Sequence, residues 1–66
     1  MSWIIARKKG HEYETYNDAD IYGHGHFGGK NIFDLPEQYL TKADAQSHLM
    51  TIEKEKDWQY LVEYYE

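Results

Sequence analysis

Cysteine is missing from this 66-residue chain. Its absence removes disulfides, thiolate metal sites and thiol nucleophiles in one step. It also suits a reducing cytoplasm better than an extracellular setting, where small domains tend to carry bridges. Serine occurs only at Ser2 and Ser47, neither in a nucleophile elbow, so no hydrolytic site is expected. No apolar run approaches the ~18 residues of a membrane-spanning helix. The opening stretch, Met1 to Lys9, places its apolar residues ahead of its charges, the reverse of a signal peptide. Bases are scarce as well: seven Lys and Arg stand against twelve Asp and Glu, a net charge of −5. Phosphate backbones are held by lysine and arginine clusters. The one such cluster here, Arg7-Lys8-Lys9, falls where a hairpin turns and reads as a solvated turn, so direct nucleic-acid binding is not expected.

What the chain has in quantity is aromatic surface: seven Tyr, two Trp and two Phe. A chain of this length is a single domain, residues 1–66, and buries only ~60% of the surface its unfolded form exposes. Most of its large apolar residues are therefore needed for the core, which leaves little for an enclosed catalytic pocket. The outer face becomes the working part. That favours a non-enzymatic binder or inhibitor with no cofactor.

Along the chain, Trp3-Ile4-Ile5-Ala6 is a compact apolar run, and Glu12 to Tyr16 alternates in period two. Between them Lys9-Gly10 supplies a residue able to take positive φ, so the segment reads as a β-hairpin. Tyr13 and Thr15 share one face of its second strand; Glu12, Glu14 and Tyr16 share the other. Four of the five glycines lie in Gly23 to Gly29, a stretch that reads either as a third strand with a bulge or as a loop. Asp34 to Leu40 resembles one helical turn with Asp34 as its cap. A structureless connection of this length is uncommon in so small a domain, so part of it is expected to pair with the sheet. Thr41, three residues before Asp44, forms a variant capping box ahead of Ala45, Leu49, Ile52 and Lys56 at helical spacing, with Met50 widening the stripe. The spacing predicts a helix over roughly 42–55. Trp58, Tyr60, Val62 and Tyr64 alternate as the core face of a final strand. The expected fold is α+β: a small antiparallel sheet, built from the N-terminal hairpin, the C-terminal strand and a candidate middle strand, with one helix packed on one face.

Three constellations bear on chemistry. His24-Gly25-His26 places two imidazoles at i and i+2, a pair that can present two metal ligands from a strand. His11, His48, Asp18 or Asp20 could complete such a site, yet no third ligand has diagnostic spacing. A small metal-binding module is the alternative function, and these histidines otherwise read as polar loop residues. Gly23, Gly25 and Gly28, with Gly29 directly after them, match G-x-G-x-x-G by chance, since no helix begins until Thr41. Asp44 and His48, at i and i+4, read as a surface pair. The third constellation is acidic. Glu12 and Glu14 lie two strand positions apart, ~6.6 Å, with Asp18, Asp20, Glu63 and Tyr65 as candidate neighbours in a partner-binding face. Spaced carboxylates on a sheet mimic a line of phosphates and attract a basic nucleic-acid-binding groove.

With these residues in view, the chain resembles the small anti-CRISPR inhibitors of phages and mobile elements. The likeness is one of type: a cysteine-free acidic α+β domain. It rests on Trp3-Ile4-Ile5-Ala6, Glu12-Tyr13-Glu14, Thr41-Lys42-Ala43-Asp44-Ala45 and Leu61-Val62-Glu63-Tyr64-Tyr65. The resemblance implies DNA mimicry in a bacterial host cell, directed at a basic nucleic-acid-binding protein such as a Cas effector complex. A monomer or weak homodimer is expected, the final strand being able to pair with a second copy.

Overall fold

In the computed structural model, Gly10 turns the hairpin with φ of 59° and nothing near a would-be Cβ, so backbone conformation is what requires glycine there. The structure describes residues 1–17, 25–28 and 35–66. The hairpin joins β1 (Ser2–Lys9) to β2 (Glu12–Asn17), and β3 (His26–Gly28), α1 (Lys42–Thr51) and β4 (Gln59–Tyr65) follow. The four strands form one antiparallel sheet in the order β3-β2-β1-β4, with α1 packed on one face. His26–Gly28 is therefore a short third strand. His24 and the flanking glycines at 23 and 29 lie outside the described residues, as does Asp34.

Register fixes what each face carries. Arg7 pairs with Glu14 on one side and Tyr60 on the other, while Ile5 pairs with Val62 and Trp3 with Tyr64. These residues share the helix face. There Ile5, Tyr16 and Ala45 form the buried core, ringed by Trp3, Phe27, Tyr39, Leu49, Ile52 and Val62. The opposite face holds Ile4 and Ala6, both buried, beside Thr15, Leu61 and Glu63.

Leu35 to Leu40 is extended, not a helical turn. β1 and β2 pair only as far as Ala6 and Thr15, and beyond that point their backbone groups need partners. Pro36 bridges Asn17 and Tyr39 bridges Trp3. Glu37 N donates to Tyr16 O at 2.9 Å, while Trp3 and Tyr39 exchange bonds of 2.9 and 2.8 Å. The local helical signal loses to this unmet demand. Part of the connection does pair with the sheet, as its length required.

Thr41 caps α1, its hydroxyl accepting from Asp44 N at 3.1 Å. The helix stops at Thr51, four residues short of the expected end. Ile52 turns extended (φ −80°, ψ 133°) and packs its side chain on the core. The Leu49 carbonyl accepts the Ile52 N–H at 3.2 Å, and Lys54 Nζ donates to the carbonyls of Leu49 and Ile52 at 2.7 and 3.2 Å. Met50 does not widen the apolar stripe, being 82% exposed. His48 takes that role: its Nδ1 bonds Tyr39 Oη at 2.8 Å and its ring lies edge-on to Tyr16, so its partner is Tyr39 and the expected Asp44 pair gives way.

Gly25 is needed for close approach. A Cβ there would sit 2.5 Å from Asn17 O and 2.8 Å from the Tyr16 ring, and the Gly25 amide donates to Tyr16 Oη at 2.6 Å. Gly25→Ala is expected to lower stability by about 1–3 kcal/mol in urea unfolding. An unchanged midpoint would refute the close approach.

Candidate functional site

The alternation that turns Trp3 and Ile5 toward α1 also brings Arg7 onto the helix face, where its side chain is 14% exposed. This arginine is not a solvated turn residue. It lies inside β1, because the turn begins only at Gly10. Its guanidinium carbon sits 4.4 Å from the Phe27 ring centroid and 4.0 Å from that of Trp58. Nε donates to Glu14 Oε1 at 2.8 Å, with Nη2 2.6 Å from the same oxygen. Nη1 reaches Tyr60 Oη at 3.4 Å and lies 3.8 Å from Glu55. Burial alone would depress the guanidinium pKa, but the Tyr60 and Glu14 contacts outweigh it and hold the pKa above the ordinary value. The chain has built a cation cage around one of its own residues.

Beside this cage an open groove of about 970 Å³ runs between α1 and strands β2 and β3. Phe27, Tyr16 and Ile52 provide its apolar surface, and Ser47, His48, Thr51, Glu53 and Glu55 line its helix side. Its His48, Tyr16 and Phe27 belong to an edge-to-face series that extends beyond the groove at both ends: Tyr39 to His48 at 5.4 Å, His48 to Tyr16 at 5.5 Å, Tyr16 to Phe27 at 5.3 Å and Phe27 to Tyr60 at 5.5 Å. The helix side is the C-terminal half of α1, where peptide dipoles present partial negative charge.

The carboxylates expected to share one face do not. Arg7 pairs with Glu14, and Ile4 pairs with Glu63. Arg7 and Ile4 are an odd number of positions apart in β1, so their partners point to opposite sides. Glu12 and Glu14 lie on the helix face. Glu63 and Tyr65 lie on the other, where the Tyr13 hydroxyl donates to Glu63. Glu14 is bound to Arg7, Glu12 is exposed opposite Lys9, and Asp18 and Asp20 lie outside the described residues. His26 is exposed on β3, and among the described residues no group of three His, Asp or Glu could hold a metal ion.

Sequence reasoning missed Arg7, Phe27, Glu53 and Glu55 as one constellation. The signal for Arg7 was available: Trp3, Ile5 and Arg7 share one period-two face. Glu53 and Glu55 joined it only because the helix ended early.

Tyr13 offers a titration test. Burial and, behind it, the bond to the Glu63 carboxylate push its phenol up to about 12. The raised value means the folded form favours protonated Tyr13. Its contribution to stability is whole below the ordinary tyrosine pKa of ~10 and is lost as pH rises through the folded value. In Glu63→Gln, phenolate absorbance is expected to rise at lower pH. An identical titration curve would show that the pair does not form.

Comparison with known proteins finds no matching family model, no curated relative and no matching solved structure. Among the described residues, no helix is long and apolar enough to cross a membrane.

Proposed function

We propose that this is a non-enzymatic binding protein that docks on a basic nucleic-acid-binding partner and blocks its nucleic-acid surface. The anti-CRISPR-type inhibitors it resembles set the partner class: a Cas effector complex in the bacterial cytoplasm. One observation carries the reading. Three of the six lysines are directed to rings and carbonyls instead of carboxylates: Lys9 lies 5.0 Å from Trp58, Lys42 lies 5.7 Å from Trp3, and Lys54 caps α1. The exposed carboxylates Glu12, Asp44, Glu53 and Asp57 form no ion pair among the described residues. Among the described residues these four carboxylates are thus open to a basic partner, the form of charge that steers association.

The test is displacement. Titrating the protein into a Cas effector complex holding labelled DNA should release the DNA, with a potency that falls as salt rises. DNA retained at every concentration would sink the proposal. The alternative, a metal module using His24 and His26, makes a different prediction. Under it, zinc would raise the melting temperature by several degrees and His26→Ala would abolish the rise.

A further inference from the structure

We infer that the groove between the C-terminal half of α1 and strands β2–β3 receives an arginine-bearing segment of the protein partner. In this arrangement the side-chain stem lies on Phe27 and Ile52, and its guanidinium lies at Glu53 and Glu55. The inference rests on the proposed binding function and names the site and the chemistry that site accepts.

Size excludes the simplest occupants. A volume of about 970 Å³ is at the upper end of the ~300–1,000 Å³ typical of ligand sites. It suits a stretch of chain and far exceeds what a single ion needs. Charge then selects among chains. Arg7 is the one fixed cation lining the groove, and Glu14 neutralises it at 2.6 Å. Glu53 is fully outside that pair, and Glu55 reaches Arg7 only at 3.8 Å with its side chain 67% exposed. Lys54 Nζ already occupies the carbonyls at the C-terminal end of α1, so the groove's open negative charge is that of the Glu53 and Glu55 carboxylates.

The chain itself shows how a guanidinium is held here. Arg7 packs against Phe27 and Trp58, takes Tyr60 as acceptor and pairs with a carboxylate. An incoming arginine meets the same elements one step along: an aromatic and aliphatic floor for its stem, and two carboxylates for its head. Ser47 and Thr51 on the groove wall add polar groups for the segment's backbone.

The probe is a capped tri-arginine peptide, titrated into the folded protein at low salt and followed by amide chemical shifts. Perturbations are expected to cluster at Gly25 to Phe27 and at Ser47 to Glu55. The double variant E53Q/E55Q should weaken binding at least about fivefold with an unchanged melting temperature. Ser47→Lys, which places a cation on the groove wall without touching the core, should weaken it as well. Glu63→Gln, on the opposite face, should leave affinity unchanged. Shifts centred on Tyr13 and Glu63, equal loss in all three variants, or no binding would overturn the inference. The DNA-displacement assay separates the two levels. If the peptide fails at the groove while DNA is still released, the site falls and the binding function stands. If both fail, both fall.

Discussion

Replacing Arg7 with Met is expected to destabilise the fold by about 2–3 kcal/mol. The guanidinium is largely buried, and its loss leaves Glu14, whose side chain is 28% exposed, without its partner. It also removes the cation from between Phe27 and Trp58. Each of those ring contacts contributes ~0.5–1 kcal/mol in partly exposed sites. Met retains most of the stem's packing, so the loss reports charge and hydrogen bonding in place of a cavity. Arg7→Lys keeps the charge but not the planar fork, and should recover only part of the difference. In a chain of this size, ~1 kcal/mol corresponds to 4–8 °C in melting temperature. Thermal unfolding of the two variants should therefore fall in the order wild type, Arg7→Lys, Arg7→Met. Equal melting temperatures for all three would mean that the cage is not formed in solution.

The second large effect is at Ile5. It occupies the central strand, is fully buried, and packs with Tyr16 and Ala45 beneath α1. Ile5→Ala removes three carbons where β1 is paired with β4 and Tyr16 and Ala45 pack on the side chain, so the cavity has little freedom to collapse. A loss of about 3–4 kcal/mol is expected from urea unfolding. Small domains hold ~0.05–0.15 kcal/mol per residue, or roughly 3–10 kcal/mol at this length. The substitution therefore consumes a third or more of the total. Met50→Ala, at an exposed helix position, should fall within about 0.5 kcal/mol of wild type. Similar losses at the two positions would contradict the described core.

Features governed by neighbouring residues were readable in advance. The glycine turn, the Thr41 cap and the core face of β4 each depend on backbone conformation or alternation within a few positions. Non-local pairing was not readable. Whether Glu14 and Glu63 share a face depends on how β1 registers with two strands at once, and that register separates them. Asp34-Leu35-Pro36 carries a helical first-turn signal, yet the open fork between β1 and β2 draws Leu35 to Leu40 into extended pairing. Arg7 was misplaced for a related reason. A run of three bases looks like a turn until the apolar alternation before it is extended two residues further. The early end of α1, which frees Glu53 and Glu55, follows from Ile52 favouring the core over another helical turn.

Under the proposed function, the exposed carboxylates beside α1 capture the basic partner. DNA release from a Cas effector complex by charge-reversal variants on the two faces addresses it most directly. Glu53→Lys with Glu55→Lys should abolish release while Glu63→Lys leaves it near wild type. Full release by the double reversal, or loss confined to Glu63→Lys, would contradict the account.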